Sequence, residues 1–297
     1  MTQFTLSRSY AFCERVARRQ AANFYPAFRV LPRPQRRAMC ALYAFMRITD
    51  DLADDGGDVA VKRVKLAAWR DGFRAAMRGE DRHQVHPALR DAVEQYAIPT
   101  WYLDAVIDGV EIDLEPVRFR RFDDLYRYCF LVASVVGLAC IHVWGFRDKS
   151  AKLYAEHAGI AFQLTNILRD LGEDLGRGHV YFPMEDLALF GWTPNELLAA
   201  IPTARNGDGT PKQLQPLLRY EAERARLYYL SAERLLPLLS GAGRAMCQAL
   251  LGTYRGLLDE IERRDYDVFS QRVSLSGWRK AKLVLRAMPV RWGWTGR

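Results

Sequence analysis

Apolar residues recur along this chain at intervals of three and four, the period of an amphipathic α-helix. Leu66, Ala67, Trp69, Phe73 and Met77 form one such series, and Trp101, Tyr102, Ala105, Val106 and Val110 a second. A third and longer series runs from Leu214 to Leu239. Pro34, Pro87, Pro99 and Pro183 stand where helices would begin, because proline lacks only an N–H that the first turn leaves unbonded anyway. Breaks fall at Gly56-Gly57-Asp58, between Gly79 and Pro87, and at Ala204-Arg205-Asn206-Gly207-Asp208-Gly209-Thr210-Pro211. The last is the best linker candidate, yet it is no longer than an ordinary long loop. No alternation of period two persists, and no internal repeat is visible beyond a pair of acidic motifs. The pattern predicts a single all-α domain over residues 1–297.

The longest uncharged stretch covers 19 residues, Tyr128 to Phe146, close to the ~20 needed to cross a bilayer. His142, Ser134 and the small residues Ala133, Gly137 and Ala139 argue against a span. The flanks, Asp123-Asp124 and Arg147-Asp148-Lys149, carry no orientation signal. The expected element is a central helix, apolar on all sides because other helices surround it. Its small residues suit close helix packing and the wall of a hydrocarbon pocket equally well.

Composition narrows the class. With 297 residues, 49% hydrophobic and a mean hydropathy of −0.19, the chain reads as a soluble globular protein with a substantial core. Cysteines 13, 40, 129, 140 and 247 form no zinc pattern, and an odd count argues against a complete disulfide framework. A reducing cytoplasm is the expected compartment. Arg8 and Glu14 interrupt the N-terminal apolar residues, so no signal-peptide core is present. Forty-three basic against 35 acidic residues give +8, but no nucleic-acid module accompanies the charge, and nucleic acid is not an expected partner. At the C-terminus, Trp278, Arg279, Lys280, Lys282, Arg286, Arg291, Trp292 and Trp294 interleave cations with tryptophan. This suits contact with an anionic membrane surface through a tail over about 283–297, or a helix packed on the core with a frayed end. Gly241-Ala242-Gly243-Arg244-Ala245-Met246 is no dinucleotide fingerprint, and no phosphate-cradling loop, histidine ligand spacing or nucleophile motif is found.

The chemistry concentrates in two acidic motifs. The first is Asp50-Asp51-Leu52-Ala53-Asp54-Asp55, and the second runs from Asn166 through Asp170 and Glu173 to Asp174. Positions four apart share a helix face, so Asp50 pairs with Asp54, and Asn166, Asp170 and Asp174 form an oxygen stripe. Two carboxylates about 4 Å apart repel by roughly 4 kcal/mol at an effective dielectric near 20. Each motif follows an apolar run, Ala41 to Ile48 with Arg47 its one charge, and Ala158 to Thr165 with none. Acids that close such runs suit the mouth of a cavity better than an open helix end. Mg²⁺, a hard cation usually shared between a few carboxylates and substrate phosphates, would offset the repulsion; Mn²⁺ is an alternative.

These residues resemble the squalene/phytoene synthases, which join two isoprenoid diphosphates head to head. Tyr43 to Asp54 resembles the family's first aspartate motif. Gln163 to Asp174, closed by Val180-Tyr181-Phe182-Pro183, resembles the second. Tyr128-Cys129 with Val132-Ala133 and Val136-Gly137 lies between them, and Tyr254 and Asp265 to Arg272 fit the last core helix. The resemblance spans about Phe12 to Lys282. Two positions depart from the family pattern: Ala21-Ala22-Asn23 replaces serines before the Phe-Tyr pair, and His179 stands where arginine is usual. A permanent cation thereby becomes a ring mostly neutral at pH 7.

The resemblance implies a class I isoprenoid-synthase bundle around a central hydrophobic cavity, with prenyl diphosphates as substrates. Asp50, Asp54, Asp170 and Asp174 would hold Mg²⁺; Asp51, Gln163, Asn166 and Arg169 would contact the diphosphates; Ala133 and Gly137 would line the hydrocarbon channel. Tyr43, Arg47, Tyr128, Tyr181, Tyr254 and Arg272 carry over as diphosphate-contacting or proton-handling groups. Ionisation of one diphosphate and attack by the other molecule's double bond would give a cyclopropylcarbinyl diphosphate. Whether the substrate is C15 or C20, whether the product is presqualene diphosphate, squalene, dehydrosqualene or phytoene, and whether NADPH takes part all stay open at this point. The expected form is a monomer. A class I terpene cyclase, a head-to-tail prenyltransferase and a non-catalytic helical scaffold are the alternatives.

Overall fold

The computed structural model describes residues 5–21, 25–200 and 209–292. Asn23, the Ala204–Asp208 part of the linker candidate and Trp294 lie outside them. The described residues contain helices and no strand; only two isolated bridges occur, Arg118 with Val180 and Phe146 with Leu239. In chain order the helices are α1 (Leu6–Gln20), α2 (Tyr25–Phe28), α3 (Arg33–Asp54), α4 (Val59–Met77), α5 (His86–Gln95), α6 (Thr100–Ile112) and α7 (Phe122–Cys129). They continue with α8 (Val135–Trp144), α9 (Ala151–Gly176), α10 (Met184–Leu189), α11 (Pro194–Ala199), α12 (Gln215–Ala232), α13 (Gly241–Arg263) and α14 (Gly277–Ala287).

Local chemistry sets the boundaries. Pro34 and Pro87 sit in the first turns of α3 and α5, and Pro99 and Pro183 cap α6 and α10. The Asp58 carboxylate accepts from the Ala60 N–H at 2.7 Å and starts α4 directly after the two glycines. Ser240 and Ser276 do the same for α13 and α14. The Leu214–Leu239 series does not form one helix. α12 ends at Ala232 and the chain tightens into a 3₁₀ segment, Glu233–Leu238, which contains Pro237.

The uncharged stretch belongs to a longer rod. α7 runs through a π turn, Phe130–Ser134, into α8, and the rod stops at Gly145 with φ +78°. It thus starts six residues before Tyr128 and ends two before Phe146. By length and composition alone Phe122–Trp144 could cross a membrane, but 56% of its most apolar window is buried inside the molecule. Burial is not uniform around it. Val132, Ala133, Val136 and Gly137 are only half-buried because they face a cavity. Packing is closest elsewhere: a Cβ on Gly159 of α9 would stand 2.4 Å from Ser134 Cα, so α9 touches the π turn backbone to backbone. Long and central, α9 packs against α7, the π turn, α8, α12 and α13. α14 lies on α13, buries Ala287, and leaves Trp278 and Leu285 exposed.

Candidate active site

The wall of the cavity comes from α2, α3, the π turn, α8, α9 and α13. It encloses about 1000 Å³ including its opening, and its lining is overwhelmingly apolar. The polar exceptions are Tyr43, Gln163, Asn166 and Tyr254, which the two acid-bearing helices and α13 supply. Ala133 and Gly137 line it too.

On α3, Arg47 is hydrogen-bonded to Asp51 and lies 3.9 Å from Asp54 Oδ2. Its Nε is buried without a partner among the described residues. Asp50 is not part of this pairing. Burial pushes its carboxyl up to about 7, against the pull of Arg47 and reinforced by Asp54, Asp51 and Asp113. Tyr43, one turn before Arg47, is raised by burial, with Arg47 opposing.

On α9, Asn166 donates to Gln163 Oε1 at 3.3 Å, while its own Oδ1 is buried and unpartnered among the described residues. Asp170 is gripped twice. Arg169 Nε donates to Oδ1 at 2.9 Å and its terminal nitrogen to Oδ2, and Arg272 Nε reaches Oδ1 at 2.9 Å. Burial acts to raise Asp170, but the two arginines hold it below the usual carboxylate range. Among the described residues Asp174 has no such hydrogen-bonded arginine: burial, then Asp170, Glu173 and Asp113, push it to about 7 against the pull of Arg177. Tyr254 stacks on Phe162, with ring centroids 4.2 Å apart. Arg272 arrives on a loop pinned by Asp267, whose Oδ1 accepts from Thr210 N at 3.3 Å and Ser270 N at 3.2 Å.

One residue escaped the sequence reading. Asp113, at the C-terminal end of α6, accepts from the hydroxyls of both Tyr128 and Tyr181 at 2.8 Å. Burial lifts its pKa to about 6, against those two hydrogen bonds and with a further push from Asp54. Its charge bears on Asp50 of the first motif and Asp174 of the second, so it lies between the two banks. A short parallel contact delivers Tyr181: Val180 N donates to Val117 O at 3.2 Å and Arg118 to Gly178 O at 2.6 Å. Tyr128 and Tyr181 stack at 5.2 Å, and the His179 ring lies parallel to Tyr181 at 5.6 Å. Burial, Arg177 and Arg118 hold His179 below its ordinary pKa. One signal of Asp113 is present in the chain, a negative charge where a helix C-terminus disfavours it.

Every site residue expected from the sequence therefore falls on the cavity wall or in the polar network at its acidic end. Among the described residues no three Asp, Glu, His or Cys side chains converge on one point. The acids stand as two banks. Their donor set is all oxygen, two of its members are raised by burial and mutual repulsion, and Asn166 Oδ1 and Arg47 Nε are unused. Such a set fits hard cations that take their remaining ligands from a bound diphosphate.

An all-α bundle with two acid banks at the polar end of an apolar cavity defines a class I isoprenoid-synthase fold. The squalene/phytoene synthase profile matches residues 17–279. The chain is 35% identical over 292 residues to a phytoene synthase of Arthrospira platensis, covering 94% of this chain and 92% of that one. It is 33% identical over 298 residues to a 15-cis-phytoene synthase of Synechococcus elongatus, covering 96% and 93%. A dehydrosqualene synthase crystal structure superposes with a TM-score of 0.85 at 26% identity, covering 97% of this chain and 98% of that one. The chain belongs to the squalene/phytoene synthase family and is a prenyltransferase.

Proposed function

We propose that this enzyme couples two molecules of geranylgeranyl diphosphate head to head, through a cyclopropylcarbinyl diphosphate, to phytoene. The observation that carries the reading is the pair of acid banks, Asp50/Asp54 and Asp170/Asp174, at the polar end of an apolar cavity. The phytoene synthases at 33–35% identity over nearly the whole chain favour the C20 substrate.

Asp50, Asp54, Asp170 and Asp174, with Asn166 Oδ1, would hold Mg²⁺, or Mn²⁺ in its place. The bound cations would supply Lewis-acid neutralisation of the departing diphosphate. Arg47, through its unpaired Nε, and Arg272 add charge-assisted contacts to phosphate oxygens, and Asp51 steers Arg47. Arg169 holds Asp170 ionised, and Gln163 orients Asn166. The C–O bond of one substrate breaks with its electron pair leaving on diphosphate. The other substrate's double bond then attacks the allylic cation and a proton is lost. The apolar wall at Ala133 and Gly137 excludes water from that cation. Tyr43 and Tyr254 present hydroxyls at the cavity's polar end, and Tyr128 and Tyr181, ordered by Asp113, hold theirs beside the acids. The cyclopropylcarbinyl diphosphate then loses its own diphosphate with the C–O electron pair, and the rearranged cation closes to phytoene by proton loss; that consumes no reductant, so NADPH is not required.

Coupling of C15 substrates is the second reading, favoured by the likeness to a dehydrosqualene synthase. Family membership and the retained acids speak against a cyclase, a head-to-tail enzyme or a scaffold. Radiolabelled farnesyl and geranylgeranyl diphosphate, each with Mg²⁺ and with or without NADPH, provide the test. Phytoene from the C20 substrate without NADPH is expected; C15 products alone would overturn the choice of chain length, and no coupled product the whole reading. We also infer a cytoplasmic monomer, in keeping with five free, buried cysteines. Exposed Trp278 and Leu285, beside Lys282 and Arg286 on α14, favour contact with an anionic membrane face. Co-sedimentation with anionic but not neutral vesicles would bear this out.

A further inference from the structure

Along one line of the rod, Ala133, Gly137, Cys140 and Trp144 face the cavity, with Val132, Val136 and Ile141 beside them. Spacings of four, three and four keep the first four on one helical face. Three of these are small, and the last is the largest side chain available. The rod begins this run at the acidic end, where Tyr128 is bonded to Asp113. Trp144 stands 16 residues farther on, or about 24 Å at 1.5 Å per residue, and the rod ends there at Gly145.

Trp144 is only 4% exposed, yet its indole Nε1–H has no hydrogen-bond partner among the described residues. The residue lines the cavity while its buried N–H does not open onto it, so the indole meets the cavity through its carbon atoms. The backbone that carries the ring is firmly placed. Ser240 Oγ donates to the Trp144 carbonyl, and a Cβ on Gly243 would come within 2.6 Å of Trp144 Cβ. The start of α13 is thus pressed against this end of the rod.

We propose that Trp144 is the stop that sets the greatest prenyl-tail length the cavity accepts, its broad indole closing the end of the apolar wall farthest from the acids along the rod. The inference rests on the prenyl diphosphate reading and adds a residue that decides between chain lengths.

The test is the kcat/KM ratio for C25 against C20 diphosphate in the wild type and in Trp144→Leu, with helical circular dichroism and melting temperature as controls. Removing the stop should raise the C25/C20 ratio at least about tenfold, since an isoprene unit exceeds the single methylene that such pockets already discriminate by about that factor. Cys140→Phe, one turn nearer the acids, should lose C20 coupling and keep C15. A folded Trp144→Leu with an unchanged ratio overturns the proposal. Should that variant not fold, Cys140→Phe decides alone: equal loss with both substrates also overturns it. A wild type that couples neither C15 nor C20 defeats the prenyl reading itself, which is a separate and recognisable result.

Discussion

Asp170 and Asp174 stand one turn apart on α9 and are driven in opposite directions: two arginines hold the first below the carboxylate range, while burial and like charge lift the second to about 7. The bank therefore combines a permanently ionised anchor with a carboxyl that gains most from an incoming cation. Asp50 stands in the same condition as Asp174 across the site.

Asp50→Asn and Asp170→Asn should each lower turnover by about 100-fold or more, because each removes an ionic ligand at almost constant volume. Far-UV circular dichroism should be unchanged. Near-normal Mg²⁺-dependent activity in either folded variant would remove that residue from the metal-holding set.

The metal-free protein should lose stability as pH rises. Asp50 and Asp174, raised to about 7 from 3.8, bind protons more tightly folded than unfolded. Their contribution is complete below about pH 4 and is lost between there and about 7. Mg²⁺ favours the ionised acids, so its increase in melting temperature should be larger near pH 8 than near pH 5. A Mg²⁺ shift independent of pH would contradict it.

Asp113→Ala should strand two buried tyrosine hydroxyls and cost about 1–3 kcal/mol of stability. Asp113→Asn can still accept from one hydroxyl and should recover most of that stability. If Asp113 orders Tyr128 and Tyr181 for the reaction, the Asn variant stays stable while kcat falls; unchanged kcat would make the contact purely structural.

His179 has a depressed pKa, so its ring is neutral at pH 7 and any effect of its charging belongs below about pH 6.5. His179→Arg should retain activity and abolish the low-pH change. A folded but inactive Arg variant would mean that the neutral ring stacked on Tyr181 is what the site needs.

Ala133→Phe should depress C20 coupling more than C15 coupling while Mg²⁺-dependent diphosphate binding survives. Overpacking a core position would instead cost roughly 1–3 kcal/mol and impair both substrates alike. The ratio of the two rates, set beside the melting temperature, separates these outcomes.

The helices, their proline starts and the two acid motifs were legible because each rests on local spacing: an i, i+4 pair needs no third dimension. The π turn was not, since its own residues, Phe130 to Ser134, carry no mark that distinguishes them from an α-helix. Nor was Asp113, whose meaning comes from two tyrosines 15 and 68 residues away. The small residues of the rod offered packing and pocket readings equally. The structure gives Ala133 to the cavity and lets Gly137 serve both, lining the cavity while a Cβ there would stand 3.1 Å from the Ala155 carbonyl oxygen of α9.

The contact at Gly159 has a consequence for how such an enzyme can diverge. With no room for even a methyl group between α9 and the π turn, the two helices cannot slide to widen or shorten the cavity. The position of the α9 acids relative to the rod is then inherited as a fixed frame. Descendants of this chain can change the hydrocarbon they make only by exchanging side chains along the wall, leaving the ionising end untouched.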